Sequence, residues 1–348
     1  MIATMISEVG SIWAFDMLTE VRMKNETREC NFDCVPHRRD ALLELLHALK
    51  VDAYHFVTPT PATHARVLAR SSRRTARSLR DVLGWSLPFA LETVPQHIFK
   101  LLDRAGALSS RENDMYGADV RVSSVRDHLF LHSAYPTLAQ DSVFLGPDSY
   151  RFADLIVAKA GALRSDARIL DYAAGAGVGG IVAAGMQAGT KLVLADINPK
   201  ALFLSSINAS FAGIDHEIVH AQSPTDVAGN FDLIVTHPPF MMDEGKRAYR
   251  DGGDLHGARL SRDWALQSLE KLAPGGKLIL HTGVSIVGGR DVLMEDMMRA
   301  VQGPEWSIDY HELDPDIFSE DLDTPPYVRD DVERIAAIGL CITRNALR

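Results

Sequence analysis

The chain has 348 residues, 46% hydrophobic and 24% charged, which is enough to bury a sizeable core without covalent staples. Its formal net charge of −10 excludes a protein that coats nucleic acid by bulk charge, and three cysteines (Cys30, Cys34, Cys341) exclude a disulfide framework. The acidity is uneven: residues 1–150 carry 17 Lys+Arg against 18 Asp+Glu, so nearly all the excess lies beyond them.

Cys30, Cys34 and His37 stand close together but have no fourth ligand nearby, so two ordinary thiols and a surface histidine are preferred to a metal site. No apolar run reaches the ~20 residues of a membrane span. Met1 to Trp13 lacks a basic leader and carries Glu8, making it a poor signal peptide. Cytoplasmic residence is the expectation.

In chain order, Arg38–Leu49 places Leu42, Leu43, Leu45, Leu46 and Leu49 on one broad helical face. After Pro59 and Pro61, helices are predicted at 62–71, 73–83 and 95–106, and the alternation over 119–131 predicts one or two strands. Arg66, Arg70, Arg73, Arg74, Arg77 and Arg80 fall at spacings that would share a helical face. A solvated face explains them more simply than a grip on RNA or an acidic partner. From about residue 141, strands are predicted at 167–172, 191–196, 216–221, 231–236, 277–282, 307–312 and 335–343. Helices at 152–162, 179–188, 200–212, 261–272 and 291–301 separate most of them. This alternation predicts a doubly wound α/β fold with a seven-stranded, mostly parallel, Rossmann-like sheet. The expected organisation is a mainly helical N-terminal domain over 1–117, a short β connection over 118–140, and the α/β domain over 141–348.

Between the first of these strands and its helix stands Asp171-Tyr-Ala173-Ala-Gly175-Ala-Gly177-Val-Gly179-Gly180. The backbone must turn sharply there and approach a ligand closely, which a Cβ would obstruct. Gly175, Gly177 and Gly180 spell G-x-G-x-x-G, with Asp196 about 20 residues on, so a dinucleotide is a rival ligand. Asp171 opposes that reading, because a carboxylate there repels a pyrophosphate but pairs with the ammonium of an amino acid. Asp196 ends the next strand, where it can accept both ribose hydroxyls, and Ile197 can cover one face of an adenine. Phe231-Asp-Leu-Ile-Val-Thr-His237-Pro238-Pro239-Phe240 ends the fourth strand with two prolines that lock the chain and fix a carbonyl toward the pocket.

The order Asp-x-x-x-Gly-x-Gly, Asp-Ile-Asn-Pro-x-Ala-Leu and Pro-Pro-aromatic resembles the small-methyltransferase group of class I S-adenosylmethionine-dependent methyltransferases. Release-factor glutamine methyltransferases and exocyclic-amine methyltransferases of ribosomal and transfer RNA belong to that group. The resemblance covers about residues 141–283. It implies S-adenosyl-L-methionine as cofactor, with Asp171, Ala173 (where the family often has Gly), Gly175 and Gly177 around the methionine part and Asp196 at the ribose. The family's adenine-binding Asp after the third strand is missing, so Gln222 or Ser223 would serve. His237, Pro238, Pro239 and Phe240 would hold a planar amine for methylation, by hydrogen bonds to the first side chain and the Pro238 carbonyl and by stacking on Phe240. His237 stands where the family has Asn, Asp or Ser. A neutral imidazole accepts one hydrogen bond, and it could also act as a general base near neutral pH. The family also places Gly252 and Gly253 in a loop over the site and Asp148, Ser149 and Tyr150 beside the cofactor. The acidic, proline-containing stretch 314–327 is a further candidate cover. The expected acceptor is a planar nitrogen on RNA or protein, and the alternative is a small metabolite. A nicotinamide-dependent oxidoreductase and a binding module without catalysis are the readings of other classes.

Overall fold

The computed structural model describes residues 36–346. Cys30 and Cys34 lie outside the described residues. Helices α1 (Pro36–Val51), α2 (Pro61–Leu68), α3 (Leu79–Leu83) and α4 (Gln96–Arg104) come first. Strands β1 (Leu108–Ser110), β2 (Tyr116–Ala118), β3 (Val120–Val125) and β4 (His128–Ser133) follow. Then come α5 (Pro147–Lys159), β5 (Arg168–Tyr172), α6 (Val178–Gly185), β6 (Lys191–Asp196), α7 (Pro199–Phe211), β7 (His216–His220) and β8 (Phe231–Thr236). The chain continues through α8 (Arg259–Leu269), β9 (Leu272–Val287), β10 (Arg290–Asp291) and α9 (Val292–Ala300). It closes with β11 (Trp306–Asp314), α10 (Pro325–Arg329) and β12 (Val332–Arg344). Among the described residues no helix is long and apolar enough to cross a membrane.

The chain divides into two compact units. One comprises the described residues up to Pro147 with Gly175–Gly177 and Asn198–Ile214; the other holds Asp148–Ala174, Val178–Ile197 and Asp215 onward. In the first unit, Leu42, Leu45, Leu46 and Leu49 are fully buried, as the leucine spacing requires, and α1 packs on α4 and α7. Helix α7 starts on Asn198, whose side chain accepts the Lys200 N–H, with Pro199 at the first helical position where no donor is missed. The two-stranded sheet β3–β4 leaves β4 with a free edge. Asn208 of α7 covers it by imitating a peptide group: its Oδ1 accepts the Leu131 N–H at 2.8 Å and its Nδ2 donates to the Leu131 carbonyl at 3.0 Å. The same Nδ2 donates to the Ala176 carbonyl at 2.9 Å, within the same unit.

Two expectations need correction. The helix anticipated over 73–83 exists only as α3: a 3-10 turn spans Ser71–Arg73, and Ser78 caps α3 by accepting the Asp81 N–H. The Asp81 carboxylate also accepts the Arg77 N–H at 3.0 Å, so local side-chain acceptors outcompete a continuous helix. The arginines therefore do not share one helical face. The short pair β1–β2, between the helix expected over 95–106 and the alternation from 119, was not anticipated.

The second unit is built on the sheet β11-β12-β9-β8-β5-β6-β7, with β10 paired to β9 as an eighth strand. Strands β7, β6, β5, β8 and β9 are parallel, while β12 runs antiparallel to both β9 and β11. The α/β, mostly parallel sheet is the one the alternation predicted. Strand β9 starts earlier than expected because Pro274-Gly275-Gly276 is absorbed as an irregularity, where the pairing with β8 shifts register between Phe231 and Leu233. Leu170, Tyr172, Ile234, Leu278 and Leu280 face one core, with Ala265 of α8 and Met297 of α9. Strand alternation turns Asp171 to the opposite face.

Replacing Asn208 with leucine should remove three buried hydrogen bonds and strand the Leu131 edge, costing about 2–4 kcal/mol in chemical denaturation. A loss below about 0.5 kcal/mol would show that the edge needs no cover.

Candidate functional site

The chain leaves β5 toward β6 and β7 on one side, and returns at β8 to build outward on the other. Open parallel sheets bind ligands at this point of reversal, beyond the carboxyl ends of the strands. There the strand ends are tied laterally, since Thr236 Oγ1 donates to the Tyr172 carbonyl at 2.8 Å. Asp171, Asp196 and His237 stand at the ends of β5, β6 and β8.

The turn after β5 needs unusual backbone. Ala173 (φ 58°), Gly175 (φ 54°) and Gly177 (φ 80°) all lie in the left-handed region. For Ala173 that conformation costs roughly 1 kcal/mol, which a glycine avoids. Gly179 and Gly180 have a different purpose. A Cβ on Gly179 would lie 2.5 Å from the Phe152 ring, and one on Gly180 would lie 2.8 Å from the Asp171 Cβ. Their absence lets the first turn of α6 settle onto Asp171, whose Oδ2 accepts the Gly180 N–H at 2.7 Å.

Asp171 is 1% exposed, and burial pushes its carboxyl well above the ordinary range. The Gly180 N–H pulls the other way, and the Asp196 carboxylate adds a further upward push. The two buried carboxylates stand on neighbouring strand ends, and that of Asp196 disfavours the charge of Asp171. Asp196 is buried, while Ile197 after it is half exposed, with its carbonyl 2.9 Å from His220 Nε2. Beyond β7, the backbone N–H groups of Gln222 and Ser223 both donate to the Asp226 carboxylate at 2.9 Å. This acid, four residues past Gln222, closes a capped turn that the sequence reading left out.

His237 follows β8. Its Nδ1 is 2.9 Å from the His281 carbonyl, and a carbonyl only accepts, so Nδ1 carries the proton and Nε2 keeps the lone pair. Burial lowers the His237 pKa to about 4, with the carbonyl bond offsetting part of the fall. The imidazole is therefore neutral at neutral pH, an acceptor in its base form whose basicity burial weakens. His281, on β9, was missed. It is fully buried, its Nδ1 is 3.3 Å from His237 Nδ1, and its Nε2 has no hydrogen-bond partner among the described residues. Burial, then His237 and Arg151, hold it well below the usual histidine range.

Phe152 of α5, also missed, joins the two motifs. Its ring centroid is 5.6 Å from His237 and 6.3 Å from His281, and its edge fills the space that a Cβ on Gly179 would take. The turn and the His-Pro-Pro-Phe segment thus converge on one side chain. Pro238 is buried and Pro239 partly so. The Phe240 ring is buried too, packed on Gly283, where a Cβ would come within 2.3 Å of it, and 6.1 Å from the Phe318 ring. No signal in the sequence marked His281, Phe152 or Gly283, because each lies inside an ordinary helix or strand pattern.

The glycine loop lies against the Pro-Pro-Phe segment. Gly252 donates to the Met241 carbonyl at 2.9 Å, and a Cβ on Gly252 would fall 2.7 Å from the Phe240 Cα. Gly253 follows at φ 78°. Ser285 Oγ ties the loop to β9 through the His256 carbonyl at 2.9 Å. From the acidic stretch, the Tyr327 hydroxyl accepts the Met242 N–H at 3.1 Å, and Asp321 pairs with Arg250 at 2.5 Å. Asp148, Ser149 and Tyr150 form the first turn of α5, directly before Phe152. Asp148 is buried and pushed up to about 7, against the pull of Arg151, which binds Asp314 at 2.6 Å.

Residues 153–302 match the family model described as methyltransferase small domain. The ribosomal RNA small subunit methyltransferase C of Serratia proteamaculans is 36% identical over 73 residues, 21% of this chain and 21% of that one. The release factor glutamine methyltransferase of Deinococcus radiodurans is 29% identical over 128 residues, 33% of this chain and 45% of that one. The chain thus spans less than half the length of these relatives. Among solved structures, an rRNA methylase from Streptococcus thermophilus aligns with a TM-score of 0.38 at 14% identity, covering 58% of this chain and 99% of that one.

Nitrogen-15 NMR of the histidine side chains should show His237 neutral and protonated on Nδ1 from pH 8 down to about 5. Its unfolded counterpart takes a proton near pH 6.5. His237 therefore withdraws stability as pH falls from that value toward 4. An inflection near 6.5 at this residue would refute the assigned environment.

Proposed function

We propose that the methyltransferase small domain formed by residues 153–302 makes this protein an S-adenosylmethionine-dependent methyltransferase whose acceptor is a planar nitrogen. The observation that carries the cofactor is the buried Asp171, whose charge is disfavoured by burial and by the Asp196 carboxylate on the neighbouring strand end. A ligand bearing an ammonium offsets the charge of Asp171 and its ribose diol can donate to Asp196, whereas a pyrophosphate adds a third anion. The donor set therefore fits S-adenosylmethionine and disfavours the nicotinamide rival. The turn Asp171–Gly177 would hold the methionine part, Asp196 the ribose, and Ile197, Gln222 and Ser223 the adenine. When bound, the cofactor supplies an electrophilic methyl group.

The chain's own residues hold the acceptor. Two prolines fix the backbone after β8 so that the Pro238 carbonyl and His237 Nε2 are two acceptors for the two N–H groups of an amine. Because His237 is neutral with Nδ1 occupied, it positions the nitrogen without taking its proton for good. His281 sets this tautomer through its carbonyl and is a positioning residue. Phe240 walls the site, with Gly252 and Gly253 on the loop behind it. The N-terminal unit would recognise the rest of the acceptor. A small-metabolite acceptor has no observation in its favour beyond the same two hydrogen bonds.

Transfer of labelled methyl from S-adenosylmethionine into cell extract, fractionated into RNA, protein and small molecules, tests the reaction and its acceptor class. Calorimetry should give S-adenosylhomocysteine binding and no tight NAD complex; the reverse refutes the proposal. Asp171→Asn keeps the acceptor for Gly180 N–H and removes the charge, so S-adenosylhomocysteine affinity should fall about 10- to 150-fold. Ionising a carboxyl whose folded pKa is raised withdraws stability as pH rises above its unfolded value near 4, so the variant should be at least as stable at pH 7. His237→Asn preserves an acceptor and should keep kcat within about tenfold of wild type. His237→Ala should lose about 10²–10³ in kcat with cofactor affinity unchanged. Equal losses in both would make His237 a proton-transfer residue.

A further inference from the structure

Between Asp52 and Asp81 the chain contains no carboxylate, yet it holds Arg66, Arg70, Arg73, Arg74, Arg77 and Arg80. In a chain of net charge −10 this is a strong local excess. The break between the Ser71–Arg73 turn and α3 bends the segment around a cavity of about 410 Å³, lined by Ser72, Arg73, Thr75, Arg77, Arg80 and Trp85 among others. Asp81 is the one acid in the lining, and it is already engaged by Arg73 at 2.6 Å and the Arg77 N–H at 3.0 Å. Among the described residues no carboxylate pairs with Arg74, Arg77 or Arg80, and all three are exposed. The Arg73 guanidinium lies 5.8 Å from the ring of Trp85, which lines the cavity, so cations meet one aromatic wall there; that of Arg80 rests 5.8 Å from the buried Phe56 ring behind it.

The geometry points to a docking pocket for single-stranded RNA, in which Arg77 and Arg80 take backbone phosphate and Trp85 supplies aromatic surface for a base. Planar guanidinium forks match phosphate oxygens, and aromatic side chains interleaved with cations are how single strands are held. The hydroxyls of Ser72 and Thr75 can pair with a ribose 2′-hydroxyl as well as with phosphate, which favours RNA over DNA. An acidic peptide would satisfy the arginines and leave the aromatic wall and hydroxyls unused. The inference deepens the methyltransferase reading by naming RNA as the acceptor class, and it rests on that reading for its catalytic meaning.

Fluorescence anisotropy of the full chain with a labelled single-stranded RNA of mixed sequence, titrated across salt, tests it. Wild type should bind RNA several-fold tighter than DNA of the same sequence and should not bind polyglutamate. The triple variant Arg74→Ala, Arg77→Ala, Arg80→Ala should weaken RNA binding at least about tenfold and flatten the log–log salt slope by about 2. If that variant misfolds by circular dichroism, Arg77→Lys with Arg80→Lys keeps the charge, loses the fork and should weaken binding by a smaller factor. Unchanged affinity and slope in a folded variant overturns the pocket, and equal or tighter binding of DNA or polyglutamate overturns RNA as its occupant. S-adenosylhomocysteine binding is measured alongside. Cofactor binding without RNA binding sinks only the pocket, and RNA binding without cofactor binding sinks only the methyltransferase reading.

Discussion

Burying a carboxylate at the carboxyl end of β5 constrains nearly everything around it. Among the described residues Asp171 has one donor, the Gly180 N–H, and that bond forms only if α6 comes down within a Cβ's width of the strand. Gly179 and Gly180 follow from this, and so does the placing of Phe152, which fills the space beside Gly179 and reaches across to His237 and His281. One N–H does not compensate a carboxylate removed from water, so the carboxyl sits well above its ordinary range while Asp196 pushes it higher. This destabilised charge is the kind of strain that folds keep where a ligand repays it.

The same logic separates the glycines of the turn, which look alike in the sequence. Gly175 and Gly177 answer a backbone demand, with φ of 54° and 80°, whereas Gly179 and Gly180 answer a packing demand inside the protein. Reading Gly175, Gly177 and Gly180 as one dinucleotide fingerprint merges these two demands. Ala173 shows the cost of departing from glycine where φ is 58°: the fold accepts mild strain there because the Ala174 N–H is held by the Ala195 carbonyl at 3.1 Å.

The parallel sheet was legible because buried strands and amphipathic helices alternate at short spacing from β5 onward, and each strand end carried a polar residue out of keeping with its apolar run. Asp171, Asp196 and His237 stood out for that reason. His281 did not, since a histidine within Leu278-Ile-Leu-His281-Thr-Gly283 carries no motif, and only pairing in three dimensions brings its carbonyl to His237. The N-terminal segment was harder still. Helical spacing over 73–83 is real, but Ser78 and Asp81 offer the backbone nearer partners, and a hydrogen bond made three or four residues away is not a periodic signal.

Under the proposed reading, in which His237 holds the acceptor, its replacement of an amide or acid bears on the kind of acceptor accommodated. An Asn offers an acceptor and a donor that can exchange places by rotation, and an Asp offers a negative charge. A histidine whose Nδ1 is committed to the His281 carbonyl offers one lone pair in a fixed direction, without charge down to about pH 4. Such a site gains nothing from a cationic acceptor and must rely on the neutral amine's own lone pair. It also tolerates bulk poorly, because Phe152, Phe240 and Gly283 pack around the imidazoles with no room for a Cβ at Gly283. Selectivity then comes from the direction and neutrality of one acceptor within an aromatic wall. The planar, uncharged amine proposed as acceptor meets these terms, and an ammonium, which has no lone pair to offer the methyl group, does not.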